Sequence, residues 1–393
     1  MGFQFNKKEE PDKAILYKTP AHKKRPRFYV AGKAPNVLIG SSNYPNIHSG
    51  VLLDDEGTAK DNPKDIVASK QKISSILQSR QSLVNSWSKA NVKIDLKSKF
   101  VEQARDVAMS KRAVDSEVFL QKAITSDISF HERMMPHGPS AALKKLQVTT
   151  NPSIPKPIDR LTSDTDVTAT TALHELNDKG FDETYLTRLL SVGTLGQKRK
   201  LVPTKWSITA VDDSLSKRLR KEVLQHDEAD FRLYTGEYLG NEFIIIVLPG
   251  PWSFELFELS EPHNIYNSSD EIGITQDHEF QEGRKTYASI TAGAYYASKL
   301  GVLETFNKEK IQGRVIVFRV ITTRYTVPLG VWVVREGVRI ALNNKEETTI
   351  ETVKQAKEIV AQKLKEKLGV NTEEIVRASK VLAQEQKSLS NWF

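Results

Sequence analysis

The stretch Phe243-Ile244-Ile245-Ile246-Val247-Leu248 decides the fold class, because six consecutive residues are apolar. A strand that is covered on both faces has a continuous apolar run, whereas a half-exposed strand alternates apolar and polar residues. The run therefore predicts a central strand between two layers. Phe254 to Leu259 is a plausible partner strand, and Val315 to Ile321 predicts another.

Helical periodicity surrounds these strands on both sides. It covers residues 64–88, 98–123, 173–190, 286–306 and 350–368. Gly369 ends the last of these stretches, and Asn371 with Glu374 resembles a capping box that begins a further helix. Two other segments, Lys205–Val211 and Gly330–Leu342, are rich in β-prone residues and predict strands. This mixture indicates an α+β fold with a central β-sheet.

Composition excludes several classes of protein. Among 393 residues there is no Cys, which rules out disulfides, a thiolate nucleophile and Cys-ligated zinc. No apolar run approaches the roughly 18 residues that span a bilayer. The first residues lack the apolar core of a secretory signal. We therefore expect a cytoplasmic, nucleoid-associated protein with no membrane partner.

Positive charge is concentrated near the N-terminus. The whole chain has a net charge of +8, and residues 1–33 hold nine Lys or Arg against three acidic residues, a net +6. The densest run is followed by two aromatic residues and consists of Lys23, Lys24, Arg25 and Arg27. Such an arm can neutralise phosphates while the aromatics stack on bases. The alternative is a solvated terminus without a binding role.

The last eight residues are Gln386-Lys387-Ser388-Leu389-Ser390-Asn391-Trp392-Phe393. One helical turn would place the side chains of Leu389, Trp392 and Phe393 on the same side. Each of these groups gains roughly 1.5–3 kcal/mol when it is fully buried. The tail therefore either folds back on its own protein or docks into an apolar pocket of a partner.

The spacing of these residues resembles the PIP-type motif, by which replication and repair proteins bind the ring-shaped PCNA sliding clamp. That motif has a Gln, two spacers, an aliphatic residue, two spacers and two aromatics. The resemblance implies that Leu389, Trp392 and Phe393 enter an apolar pocket of the clamp. It also implies that Gln386 forms a hydrogen bond in a neighbouring site.

Three further segments, together with the Tyr44-Pro45 loop, resemble the archaeal Nre DNA-repair family. They are Pro203–Asp213 (PTKWSITAVDD), Asp277–Glu279 with Gly283-Arg284, and Pro328–Glu336 (PLGVWVVRE). The resemblance extends from about residue 25 to the end. It implies a role in the response to DNA damage with PCNA as a partner, and it fixes no reaction. Some members carry a four-Cys zinc cluster, which this Cys-free chain does not have.

Several residues in these segments have the chemistry of a nucleotide site. Lys205 beside Trp206 offers a cation and a large π face, which suit a phosphate and a base. The candidate DNA- or nucleotide-binding residues outside the basic arm are Tyr44, Lys205, Trp206, Arg284, Tyr287, Arg335 and Arg339.

Acidic residues in the same segments raise the possibility of catalysis. Asp212 and Asp213 can bind Mg²⁺ or Mn²⁺, as paired carboxylates of nucleases do, or they can cap the helix that follows. The candidate catalytic residues are Asp212, Asp213, His278 and Glu279. The two resemblances together imply a DNA-repair protein that PCNA recruits. The alternatives are a metal-dependent nuclease or phosphodiesterase, a nucleotide-processing enzyme, and a non-catalytic clamp adaptor.

These features predict four regions. Residues 1–33 form the basic arm, and residues 34–345 form one large mixed domain that includes a Pro-rich segment at 134–159. Residues 346–384 form two C-terminal helices. Residues 385–393 form a flexible clamp-binding tail.

Overall fold

The computed structural model describes residues 27–124, 127–346 and 350–383. Within these ranges no helix has both the length and the apolarity that crossing a bilayer requires. The described chain groups into two compact units. The barrel unit comprises the described residues of the range 27–215 with Pro328–Gly330, and the sheet unit comprises those of the ranges 216–327 and 331–383.

The barrel unit is built on five strands that close on themselves. They are β1 (Arg27–Ile39), β2 (Asn46–Asp54), β3 (Leu83–Asn91), β4 (Val114–Ile124) and β5 (Ser140–Val148). Around the barrel the order is β1-β2-β3-β5-β4, and β4 pairs with β1 to close it. The β3–β5 pair is parallel and the other pairs are antiparallel.

Seven α-helices among the described residues belong to this unit in whole or in part. They are α1 (Pro63–Ala68), α2 (Ile73–Gln81), α3 (Lys99–Met109), α4 (Lys156–Ser163), α5 (Ala169–Asp178), α6 (Glu183–Ser191) and the first half of α7 (Thr204–Val223). Helix α3 lies between β3 and β4 in the chain. Its residues Val101, Ala104 and Val107 join the core that the barrel strands enclose.

The sheet unit contains a second, open sheet. Its strands are β7 (Arg232–Tyr238), β8 (Asn241–Leu248), β9 (Ser253–Ser260), β10 (Gly273–Glu279) and β12 (Arg314–Ile321), and two short strands, β6 (Asp227–Glu228) and β11 (Ile311–Gln312), pair separately. The order is β10-β9-β12-β8-β7, in which the β9–β12 pair is parallel. The helices of this unit are α8 (Ala292–Glu309), α9 (Trp332–Leu342), α10 (Val353–Leu368) and α11 (Glu373–Arg377).

Strand β8 is buried on both faces, as its continuous apolar run predicts. Every residue from Phe243 to Leu248 is at most 1% exposed. Ile244 and Ile246 share a core with Val360 of α10. Phe243 points to the opposite face, where its ring lies so close to Gly337 of α9 that a Cβ there would overlap it. The α+β prediction is confirmed, and the sheet separates two helical layers.

The strand predicted over Lys205–Val211 is wrong, because this segment begins α7. Burial recurs every four residues, at Ser207, Val211 and Leu215, which is the period of a helix. The expectation that Asp212 or Asp213 caps the helix is wrong as well, since both lie inside it. Local β-propensity is a weak preference that tertiary packing overrides.

The strands predicted over Gly330–Leu342 are also wrong, since the segment forms α9. Residues 331–338 are all buried, so they show neither the alternation of a strand nor the polar face of a helix. Periodicity alone cannot distinguish a fully buried helix from a buried strand.

Three predicted helices have different bounds in the structure. Residues 64–88 form α1, α2 and the start of β3, and residues 98–123 form α3 and most of β4. The helix expected from residue 286 begins at Ala292. The Pro-rich segment 134–159 contains β5 and the start of α4.

Other predictions are confirmed. Residues 173–190 form α5 and α6 with the predicted interruption at Gly180, and Gly369 ends α10 in the left-handed conformation. The predicted capping box of Asn371 with Glu374 is wrong. Thr372 is the residue that precedes α11, and Asn371 accepts a hydrogen bond from the backbone N–H of Glu373 instead.

Replacing Ile245 with Ala is expected to lower the free energy of unfolding by about 2–5 kcal/mol, since it leaves a cavity in a strand that is covered on both faces. Chemical denaturation of the full chain measures this change. Ile290→Ala is the matched control, because that side chain is 46% exposed. A loss for Ile245→Ala no larger than that of the control would contradict the double burial of β8.

Candidate functional site

Asp277 of β10 holds the loop that precedes α8. The residue is 4% exposed. Its Oδ2 accepts hydrogen bonds from the backbone N–H of Ile290 at 3.1 Å and Thr291 at 2.8 Å, and from Thr291 Oγ1 at 3.0 Å. Its Oδ1 lies 3.1 Å from Arg284 Nη1. Both carboxylate oxygens are therefore engaged by the loop.

Arg284 fixes the shape of the same loop. Its guanidinium donates to the backbone carbonyls of His278 at 2.8 Å, Thr286 at 3.3 Å and Tyr287 at 3.2 Å. It also lies 5.4 Å from the centre of the Tyr295 ring. In this conformation the guanidinium of Arg284 donates to acceptors within the protein.

Glu279 forms a buried ion pair with Lys299 of α8. Glu279 Oε2 lies 3.0 Å from Lys299 Nζ, and Oε1 accepts a hydrogen bond from Trp252 Nε1 at 3.1 Å. Burial raises the pKa of Glu279, but the Lys299 ammonium and these hydrogen bonds outweigh it and lower the pKa overall. The carboxylate is therefore ionised at neutral pH. The sequence signal for this pair was the single Lys within the apolar stretch of α8.

His278 lies between these acidic residues on β10 and is half-buried. Burial is the largest cause that lowers the pKa of His278, and the charges of Arg284 and Lys380 lower it further. Successive strand residues point to opposite faces, so the side chain of His278 is directed away from those of its two acidic neighbours.

The remaining basic candidates of the sheet unit lie on α9. Arg335 is 4% exposed. Arg339 contacts Glu304 at 2.8 Å and Glu336 at 2.6 Å. Tyr287, by contrast, is 43% exposed and stacks on Tyr296, with ring centres 5.3 Å apart.

In the barrel unit the structure brings together two aromatic candidates that are distant in sequence. The backbone N–H of Ile39 donates to Thr204 Oγ1 at 2.9 Å, which ties the end of β1 to the start of α7. Tyr44 of the following loop then meets Trp206 of the first helical turn, with ring centres 5.4 Å apart. The two side chains are 44% and 41% exposed.

Lys205, next to Trp206, is 9% exposed, and burial lowers its pKa. Arg27, the one member of the predicted basic run that the structure describes, forms an ion pair with Asp55. Lys23, Lys24 and Arg25 lie outside the described residues.

The acidic candidates of α7 do not point the same way. Asp212 is fully buried and Asp213 is partly buried. Successive residues of a helix project about 100° apart. In the described ranges, no three His, Asp or Glu side chains are grouped so that they would hold a metal ion. The catalytic residues and the Mg²⁺ or Mn²⁺ cofactor therefore stay predictions.

Glu255 of β9 is a residue whose role sequence reasoning missed. It is fully buried and accepts hydrogen bonds from the backbone N–H of Lys380 at 2.9 Å and Val381 at 3.3 Å, and from Ser379 Oγ and Gln276. Burial raises the pKa of Glu255 overall, although these hydrogen bonds lower it. Glu255 thus anchors residues 379–381, the start of the segment that leads to the C-terminal motif. Its signal was an acidic residue inside the apolar run of β9.

Replacing Lys299 with Met is expected to lower the free energy of unfolding by about 3–5 kcal/mol, because the Glu279 carboxylate stays buried without its counter-charge. The double variant Lys299→Met/Glu279→Gln should recover part of this loss. Denaturation curves at pH 7 for the single and double variants give the coupling energy, and additive effects would contradict the ion pair.

The same ion pair should make the stability of the protein depend on acidic pH. Because folding lowers the pKa of Glu279, the ionised carboxylate stabilises the protein above its unfolded-state pKa, and this contribution is lost as the pH falls through the folded-state value. Between about pH 5 and pH 3 the wild type should therefore lose stability more steeply than Glu279→Gln. Equal slopes would be inconsistent with a lowered pKa.

Comparison with known proteins identifies the family. The model described as "Archaeal Nre, N-terminal" matches residues 12–267, and "Archaeal Nre, C-terminal" matches residues 279–392. The chain is 36% identical to the DNA repair protein NreA of Haloferax volcanii, over 80% of this chain and 78% of that protein. It is 33% identical to the DNA repair protein NreB of Archaeoglobus fulgidus, over 80% of each. No solved structure matches significantly. The chain therefore belongs to the archaeal Nre family.

Proposed function

We propose that this protein is a DNA-repair factor that the PCNA sliding clamp recruits through Gln386, Leu389, Trp392 and Phe393. The spacing of these four residues is the observation that carries the proposal. They lie outside the described residues, and it is their chemistry and spacing that match a clamp-binding peptide. Two relatives that share about a third of their residues with this chain are named DNA repair proteins, which supports the repair context.

The motif has the chemistry of a short peptide anchor. Leu389, Trp392 and Phe393 provide one aliphatic and two aromatic groups within a single helical turn. Aromatic anchors that fill a pocket dominate the energetics of such contacts. We expect a micromolar dissociation constant, which corresponds to a binding free energy on the order of −8 kcal/mol.

The anchoring of the preceding segment is consistent with recruitment. Glu255 holds Ser379, Lys380 and Val381 against the central sheet. Leu382 also joins the core that the sheet shares with α10 and α11. A clamp bound to the motif would therefore be only a few residues from a rigid part of the protein.

Contact with DNA is the second part of the proposal. The basic arm, with Lys23, Lys24 and Arg25, would neutralise phosphates in a sequence-independent way. The exposed Tyr44–Trp206 pair offers aromatic faces on the barrel unit, where bases can stack. The arm would thus supply charge and the pair would supply stacking.

A peptide of residues 379–393 should bind the purified clamp in isothermal titration calorimetry, and the variants Leu389→Ala, Trp392→Ala and Phe393→Ala should each weaken binding tenfold or more, by at least about 1.4 kcal/mol. Ser388→Ala and Ser390→Ala are matched controls at spacer positions and should bind like the parent peptide. Absence of heat from the parent peptide, or equal losses at the spacers, would refute clamp recruitment.

Replacing Lys23, Lys24 and Arg25 together with Gln should make DNA binding less dependent on salt. Each lost phosphate contact reduces the slope of log K against log salt by roughly 0.9 on duplex DNA, so three contacts change it by roughly 2–3. Fluorescence anisotropy of a labelled duplex at several salt concentrations measures the slope. Replacing Lys354, Lys357 and Lys365 of α10 with Gln is the matched control for net charge, and an equal change there would argue against the arm.

A further inference from the structure

The barrel has the topology of an OB-fold. The order β1-β2-β3-β5-β4, the parallel β3–β5 pair and a helix between β3 and β4 together define that arrangement. OB-folds bind oligonucleotides on the outer face of strands 2 and 3, flanked by the loops 1–2 and 4–5. A fold does not establish a function, which depends on the side chains that this face presents.

The outer face of β2 and β3 carries aromatic and basic side chains. Ile47 and Val51 of β2 and Ala90 of β3 belong to the barrel core. Since side chains alternate along a strand, His48, Trp87 and Lys89 point outward. The strand register places His48 opposite Lys89.

His48 and Trp87 form a flat stack. Their ring centres are 3.7 Å apart and the planes differ by 18°. Both residues are partly exposed. Burial lowers the pKa of His48, and the nearby Lys89 lowers it further, so the imidazole is neutral at pH 7. The stack is therefore an uncharged aromatic platform of the kind on which a base can lie.

Lys89 provides the cation beside this platform. The residue is exposed, and no carboxylate forms an ion pair with it in the part of the chain that the structure describes. Asp54, also on the outer face, is buried and accepts hydrogen bonds from Ser82 Oγ and the backbone N–H of Ala59, each at 2.7 Å. The positive charge of Lys89 is thus available to a phosphate.

The loop between β1 and β2 brings a second aromatic pair to one end of this face. Gly40 N–H donates to His48 C=O at 2.7 Å, and Val92 N–H donates to Pro45 C=O at 3.0 Å. These bonds fix the loop against the start of β2 and the end of β3. Tyr44 and its partner Trp206 therefore lie at this end of β3.

The connection between β4 and β5 meets the other end of β3, where Asn85 N–H donates to Pro139 C=O at 2.9 Å. The two loops are thus at opposite ends of a strand of nine residues. Such a strand spans about 30 Å. The whole face is compatible in length with the roughly 4–16 nucleotides that an OB-fold covers. Trp87, Lys89 and the Tyr44–Trp206 pair occupy the half of it that is nearer to the β1–β2 loop.

We propose that this face, formed by Tyr44, His48, Trp87, Lys89 and Trp206, binds single-stranded DNA. Bases stack on the His48–Trp87 and Tyr44–Trp206 pairs, and Lys89 neutralises a phosphate. The inference rests on the DNA contact proposed above and names its surface and the form of DNA. Stacking on protein rings requires bases whose faces are free, which single strands offer and a duplex does not.

The test uses the full-length protein and a fluorescein-labelled oligo-dT of about 15 nucleotides, a length within the range given for such sites. Anisotropy should show that Trp87→Ala and Tyr44→Ala each weaken binding roughly fivefold or more, the effect of losing one base stack. Trp87→Phe, which keeps a ring, should restore most of the affinity. Lys89→Gln should reduce the salt slope by roughly 0.7, the value for one contact on a single strand.

Phe119→Ala is the matched control, because this ring is 38% exposed and pairs with Tyr29 on the β1–β4 side of the same barrel. It should change affinity less than twofold. Thermal unfolding checks that each variant is folded. If Trp87→Ala fails to fold, the result rests on Tyr44→Ala and Lys89→Gln, which alter exposed side chains.

Three results would overturn the inference. They are equal or tighter binding of a duplex of the same length, tighter binding of the corresponding RNA, and losses for Phe119→Ala that match those at Tyr44 and Trp87. The double variant Leu389→Ala/Phe393→Ala should bind oligo-dT like the wild type. Failure of clamp binding alone would thus leave this face unaffected, whereas a wild type that binds no DNA would refute both this inference and the proposed DNA contact.

Discussion

Burial of the five-stranded sheet on both faces is the constraint on which the sheet unit depends. Helices α8 and α9 cover one face and α10 and α11 the other, so the buried strand residues between them have no access to water. A buried charge without a partner costs several kcal/mol. The acidic residues Glu255, Asp277 and Glu279 therefore each have donors within the protein. These buried carboxylates therefore contribute to the stability of the fold.

Two of these carboxylates also organise segments that lead away from the sheet. Asp277 holds the loop before α8 through backbone N–H groups and Arg284. Glu255 holds residues 379–381 in the same way. A carboxylate can accept several hydrogen bonds at once, which suits it to fixing a chain segment whose N–H groups have no other partner. The proposed recruitment to the clamp would make use of the second anchor, because the motif follows it directly in the chain.

The barrel unit differs from the sheet unit in how it uses aromatic side chains. In the sheet unit most large rings, such as Trp252 and Phe254, are fully buried. On the barrel, Tyr44 and Trp206 pair with each other while much of each side chain stays accessible, and Trp87 stacks on His48. Apolar rings kept on a surface are a feature of binding faces. We therefore propose that the barrel contacts DNA, whereas Glu255 of the sheet unit anchors residues 379–381.

The sequence by itself determined the elements whose pattern is strong and local. The apolar run of β8, the amphipathic stripe of α10 and its glycine end follow from the alternation and periodicity of side chains. It could not show that the segments of α7 and α9 are helical. β-prone residues form a helix where tertiary packing buries every fourth residue, as in α7, or buries all sides, as in α9. The sequence also could not predict three contacts: the Tyr44–Trp206 pair, the hydrogen bond between Glu255 and Lys380, and the His48–Trp87 stack. Those contacts arise from strand register and chain crossing, which only the tertiary structure decides, because they join residues whose spacing in the sequence carries no signal.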